Sequence, residues 1–219
     1  MIVLSFATEK IVLALVSWWG KSIGAPVGGK KFTGYNPEDI NIENISAEYD
    51  GIKVIDGFNL NLKAGGKYFI MGPSGCGKTT LLKQIVQRSD KNKSVMFQED
   101  RLVENADAVT NILLGSNDAD RKEVIELAAR LLPGDRLDKK VSGYSGGMRR
   151  RVALLRALVR RADLVILDEP FMGLDDESKA LAINLILEKC SESTVVTVTH
   201  NEEDAAYAKG EIIWMKELH

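Results

Sequence analysis

Lys78 and Thr79 close a glycine-rich run, Gly72-Pro73-Ser74-Gly75-Cys76-Gly77-Lys78-Thr79, with Thr80 directly after it. The run fits the pattern G-x-x-x-x-G-K-[ST] at each fixed position, the spacing of a phosphate cradle. Glycines let the backbone take positive φ and come close to a ligand. Successive N–H groups where a helix begins form an anion site. In that setting Lys78 would reach the β- and γ-phosphates of a nucleotide, and the Thr79 hydroxyl would hold Mg²⁺. Phosphate-binding residues are therefore expected from Gly72 to Thr80. Cys76 lies near that helix start, which is expected to activate it partly as a thiolate.

The second chemical group is a pair of acids. Leu164-Val165-Ile166-Leu167 is a continuous apolar run that ends in Asp168-Glu169. A buried strand ending in acid places Asp168 at the carboxyl edge of a sheet, beside the cradle. There it is expected to hold Mg²⁺, directly or through water. Side chains alternate along a strand, so Glu169 is expected to point differently and to orient and deprotonate an attacking water. Taken alone, the pair also reads as solvated acids capping a strand, and the cradle favours chemistry.

These groups need a scaffold, and the pattern around them supplies one. Lys67 to Met71 reads as a short strand before the cradle, and Thr80 to Arg88 as a helix after it. Phe58, Leu60 and Leu62 alternate as in a half-buried strand, with Ala64-Gly65-Gly66 as a turn. Ile40, Ile42 and Ile45 suggest a further strand, as does Val95 to Gln98. Asp107 to Leu137 reads as helical, with Val124, Leu127, Ala128, Leu131 and Leu132 on one face and Pro133-Gly134 as its stop. Helices are expected over about 148–160, 179–189 and 202–209, and strands over 164–167, 194–199 and 212–215. Strands alternating with helices predict an α/β fold with a mostly parallel sheet.

The chain has 219 residues, enough for one large domain with a real core. A net charge of -2 offers no bulk attraction to nucleic acid or anionic lipid. The arginine run Arg149-Arg150-Arg151 is read as a solvated helix face, with no nucleic-acid partner expected. Cys76 and Cys190 are the only cysteines, so a reducing compartment fits better than a disulfide framework. Met1 to Trp19 falls short of the roughly 20 apolar residues a membrane span needs, and Glu9 and Lys10 interrupt it. No basic start precedes Lys10, as a signal peptide requires. Trp18 and Trp19 beside Lys21 would suit a bilayer interface; a loosely packed leader is the other reading of Met1 to Pro26. Val27 to Pro37 reads as a linker. The expected organisation is an apolar segment and linker over 1–39, then a nucleotide-binding domain over 40–219.

Further along, Val141-Ser142-Gly143-Tyr144-Ser145-Gly146-Gly147-Met148 lies between the cradle and Asp168. With these motifs in this order, the chain resembles the ATP-binding cassette family, whose signature segment this run matches. Tyr144 stands where the family usually has Leu, and Met148 is a familiar variant of its Gln. The resemblance covers about Ile40 to Met215. It implies a P-loop NTPase with a mostly parallel core sheet, an antiparallel β part and a helical insertion over about 99–145. It also implies roles for further residues. Tyr49 is similar to the aromatic that stacks on adenine. Gln98 is similar to the glutamine that touches Mg²⁺ and the lytic water. Gly173-Leu174-Asp175 is similar to the D-loop at the dimer interface, and His200 to the switch histidine on the γ-phosphate.

The implied function is binding and hydrolysis of ATP with Mg²⁺, using Lys78, Gln98, Glu169 and His200. Ser145-Gly146-Gly147 would bind ATP held by a second subunit, so that two chains, expected to be identical, sandwich two ATP molecules. Intact Lys78, Asp168, Glu169 and His200 argue against a catalytically dead module. Phe97-Gln98-Glu99-Asp100-Arg101-Leu102 is similar to the corresponding loop of importers for nitrate, sulfonate and taurine-like solutes. The expected partners are therefore separate transmembrane permease subunits and a solute-binding protein, at the cytoplasmic face of the membrane. A soluble ATPase of the same family, as in iron–sulfur assembly, is the alternative.

Overall fold

Strands made of continuous apolar residues need cover on both faces, and that requirement organises the molecule. The computed structural model describes residues 38–49, 51–116 and 118–216; Met1 to Pro26 and the linker lie outside them. Five parallel strands form the central sheet, in the order β4-β5-β6-β3-β7. They are β3 (Lys67–Met71), β4 (Lys93–Met96), β5 (Leu164–Asp168), β6 (Thr194–Val198) and β7 (Glu211–Trp214). Every residue of β5 and β6 is buried.

Alternation along these strands sorts side chains into two apolar layers. Tyr68, Ile70, Leu164, Ile166 and Val196 face one layer, which contains Leu81, Leu82 and Ile85 of α1 (Lys78–Arg88). An antiparallel pair, β1 (Ile40–Tyr49) and β2 (Ile52–Leu62), closes this layer through Ile40, Ile42, Ile45, Leu60 and Leu62. Phe69, Met71, Val165, Leu167 and Val195 face the other layer. Its cover is α2 (Ala108–Leu113), α3 (Arg121–Ala128), α4 (Gly146–Leu158), α5 (Asp176–Lys189) and α6 (Glu202–Ala208).

Two elements differ from the sequence pattern. The helix expected from Asp107 to Leu137 is broken into α2 and α3. Asp107 caps α2 by accepting from the Thr110 amide at 2.6 Å, and Asp120 caps α3 by accepting from the Lys122 amide at 3.1 Å. Between them, a Cβ on Gly115 would collide with the Arg156 carbonyl of α4, so the chain passes too close to α4 for any other residue. Val124, Leu127, Ala128, Leu131 and Leu132 are all buried nevertheless. The second difference is that β2 begins before the clean alternation does. Register shifts between Ile42 and Glu48 break the period of two, with Asn44 and Gly57 at φ 52 and 61°. Such bulges hide a strand from a pattern search. No helix among the described residues is long and apolar enough to cross a membrane.

Candidate functional site

The glycine-rich loop leaves the carboxyl end of β3 and runs into α1. Three of its residues must be glycine for separate reasons. A Cβ at Gly72 would lie 2.5 Å from the Met215 carbonyl oxygen and 2.8 Å from Cys76 Sγ. Gly77 caps α1 at φ 93° and has the Val54 carbonyl 3.2 Å from where its Cβ would be. Gly75 takes φ 85° with nothing within 4 Å, so the open side of the loop is there. Pro73 and Ser74 are exposed on the loop, and Thr80 is half-buried in the first turn of α1. Lys78 is 7% exposed, and its Nζ donates to the carbonyls of Gly72 at 2.8 Å and Pro73 at 2.7 Å. A positive charge is thereby held inside a glycine-rich loop at the start of a helix, the setting in which backbone N–H groups form an anion site.

Asp168 ends β5 beside this loop. Thr79 Oγ1 donates to Asp168 Oδ2 at 3.2 Å, across the sheet order from β3 to β5. Asp168 is 4% exposed, and burial pushes its pKa up; Glu169 adds to the rise, while the Thr79 hydroxyl, Arg150 and Lys78 oppose it. A buried carboxylate and a hydroxyl converging within hydrogen-bond reach are hard oxygen donors, and they fit a magnesium ion.

The strand ends at Asp168, so alternation along β5 does not set the direction of Glu169. Its backbone does, with φ at 51°, a region that non-glycine residues rarely occupy. The Glu169 amide donates to the Val198 carbonyl at 3.0 Å, and the carboxylate Oε1 lies 2.9 Å from His200 Nε2. Backbone held in this way is characteristic of functional sites. His200 follows β6 and is positioned by its neighbours. The buried Thr199 hydroxyl donates to Asp204 Oδ2 at 2.7 Å, Asp204 pairs with Lys179 at 3.4 Å, and Asn201 caps α6.

Gln98 lies two residues beyond β4 and is exposed. No hydrogen bond joins its side chain to Thr79 or Asp168 among the described residues. Ser145 caps α4 by accepting from the Met148 amide at 3.3 Å, and Gly146 has nothing within 4 Å of its would-be Cβ. This second helix start is exposed and makes no hydrogen bond to the cradle. At Gly147 a Cβ would lie 2.6 Å from the Gly173 carbonyl, so the run 145–147 abuts the run 173–175. Tyr49 ends β1, and its side chain lies outside the described residues.

The model of the ABC transporter family matches residues 55–172. The chain belongs to that family. It is 30% identical over 193 residues to an aliphatic sulfonates import ATP-binding protein of Paracoccus denitrificans, covering 80% of this chain and 78% of that one. It is 31% identical over 199 residues to a taurine import ATP-binding protein of Escherichia coli, again covering 80% and 78%. Among solved structures, the dimeric ATP-binding cassette MJ0796, in a post-hydrolysis state bound to ADP and Pi, is similar at a TM-score of 0.70. Identity there is 26%, with 82% of this chain and 96% of that chain covered.

The sequence pattern does not show two features of this cassette and misleads on two others. The arginines after the signature segment are not a solvated face. Arg150 is 1% exposed, and Arg151 Nη1 donates to the Leu131 carbonyl at 2.8 Å. Arg149 makes a two-pronged pair with Glu104 at 2.8 and 2.6 Å. Spacing carries the signal for Arg150, because it stands three, four and seven residues before the buried Ala153, Leu154 and Ala157. Asp204 and Thr199 escape a sequence reading; their only trace is a helix cap after a β-branched strand. Tyr144 is buried and its hydroxyl donates to the Arg136 carbonyl, an anchor that Leu would lack. Cys76 is 3% exposed beneath the loop, so burial closes to reagents the thiol whose motif position suggests activation.

Proposed function

We propose that this cassette is the ATP-binding and ATP-hydrolysing subunit of an importer for a nitrate-, sulfonate- or taurine-like solute. One observation carries the reading. Lys78, the Thr79–Asp168 pair and the Glu169–His200 pair stand together at the carboxyl end of one parallel sheet. The names of the importer relatives support the direction of transport.

In this reading the loop from Gly72 to Thr80 binds the phosphates of ATP through its backbone N–H groups, and Lys78 neutralises their charge. Tyr49 stacks on the adenine. Thr79, Asp168 and Gln98 would hold Mg²⁺, which would supply charge neutralisation on the phosphates. Glu169 orients the attacking water and takes its proton, and His200 holds Glu169 in position and contacts the γ-phosphate. Positioning and electrostatics then account for the rate. The exposed start of α4, Ser145-Gly146-Gly147, completes the ATP site of a second copy. ATP closes the pair because it binds best to the closed state. The domain runs from 40 to 219, and the segment 99–145 passes the motion to transmembrane permease subunits. A solute-binding protein delivers the solute, and the cassette is peripheral at the cytoplasmic face.

The test is the size of purified Glu169→Gln protein with and without Mg-ATP, together with steady-state hydrolysis by both proteins. Gln keeps the shape and the hydrogen bond to His200 but cannot accept the proton. Loss of a general base costs about 10²–10⁴-fold in rate. The expected result is a dimer seen only with Mg-ATP, and turnover lost with the carboxylate or on adding EDTA. A variant that hydrolyses ATP at the wild-type rate would remove Glu169 from the mechanism.

A further inference from the structure

The most buried charge among the described residues has no part in the mechanism above. Arg150 lies just over one turn into α4, and its guanidinium joins two separate pieces of chain to that helix. Toward the end of β5, Nε donates to the Glu169 carbonyl at 2.9 Å and Nη2 to the Asp168 carbonyl. Toward the loop after β4, Nη1 reaches the carbonyls of Phe97 at 3.1 Å and Gln98 at 2.8 Å, and Asp100 Oδ1 at 2.9 Å. Arg156, two turns further along α4, donates to the Asp100 and Arg101 carbonyls at 2.6 and 2.8 Å.

A planar fork with five N–H donors in fixed directions suits this task. Four of its acceptors are main-chain carbonyls, and they belong to the residues that bear the chemistry, Asp168, Glu169 and Gln98, and to Phe97. Asp100 supplies the compensating charge that a buried cation requires. We propose that Arg150 is a positioning residue. It fixes the backbone of Glu169 relative to that of Gln98, and ties both to the helix that begins at the signature segment. It touches neither nucleotide nor water itself. The left-handed backbone of Glu169, at φ 51°, is one of the conformations that this clamp maintains. This inference rests on the role given to Glu169 above.

The experiment uses the full chain carrying Arg150→Lys or Arg150→Gln. It reads kcat and KM for ATP, the affinity for a fluorescent ADP analogue, and the melting temperature, beside wild type and Glu169→Gln. A misplacement of about 1 Å costs about 100-fold in rate. Arg150→Gln is therefore expected to lower kcat by about 10- to 100-fold. ADP-analogue affinity should stay within about threefold, because none of the Arg150 acceptors lies in the loop from Gly72 to Thr79. Lys keeps the charge beside Asp100 but reaches fewer carbonyls, so it is expected to fall between Gln and wild type, at least fivefold below wild type.

A folded Lys variant within fivefold of the wild-type kcat overturns the inference. So does a loss of analogue affinity by the same factor as kcat, which would mark a purely structural role. If Gln fails to fold, the Lys variant decides; if neither folds, Arg150 belongs to stability and the inference falls. Turnover retained by Glu169→Gln would instead strike at the mechanism it rests on. A dead Glu169→Gln beside an active Arg150→Lys would remove the clamp alone.

Discussion

Replacing Asp204 tests whether His200 is held from behind. Asp204 is 2% exposed and accepts from the Thr199 hydroxyl at 2.7 Å. It also pairs at 3.4 Å with Lys179, whose side chain is 21% exposed. In Asp204→Ala both interactions go. A hydrogen bond to a charged group contributes about 1.5–3 kcal/mol. The partly solvated ion pair adds up to about 1 kcal/mol. The sum is a loss of about 2–4 kcal/mol, and for a domain of this size each kcal/mol lowers Tm by about 2–4 °C. Asp204→Ala is therefore expected to melt about 5–15 °C below wild type, by circular dichroism. Asp204→Asn keeps an oxygen acceptor for Thr199 and loses only the charge, so its fall should be less than half as large. Function should follow the same order. Thr199 carries His200, and His200 Nε2 stands 2.9 Å from the Glu169 carboxylate. At a temperature where all three proteins are folded, kcat should drop at least tenfold in Ala and less in Asn. If Asn melts and turns over like Ala, the Thr199 hydrogen bond is not what matters, and the reasoning fails.

Further outcomes follow from packing. Gly72→Ala would press a methyl group against the Met215 carbonyl, backbone that cannot yield like a side chain. It is expected to lower Tm well beyond Gly146→Ala, whose new Cβ meets nothing within 4 Å, and equal melting curves would contradict this. Burial pushes the Cys190 thiol up to about 12, so it stays protonated at pH 8, and Cys76 is shielded by the loop above it. Neither should react appreciably with iodoacetamide in the native state, with or without ATP, although both should label in urea. Rapid native labelling, read by intact mass, would show the loop to be open.

Local patterns make much of this protein legible in its sequence. The cradle is a contiguous run, and its glycines are demanded by loop geometry that depends on near neighbours. Four apolar residues before Asp168 place it at a strand end, and helical period marks the apolar face from Val124 to Leu132. Tertiary structure decides what such patterns cannot hold. Thr79 meets Asp168 across 89 residues and Glu169 meets His200 across 31, through a strand order that no local rule encodes. Glu169 takes its direction from a left-handed backbone, where alternation suggests another cause. The helix expected after Asp107 breaks where Gly115 passes the Arg156 carbonyl, a contact made only once α2 and α4 pack. Arg150 shows the difference most plainly. In sequence it is one arginine of three; helical spacing puts it on the apolar face, but only packing supplies the carbonyls and the Asp100 carboxylate that replace its water.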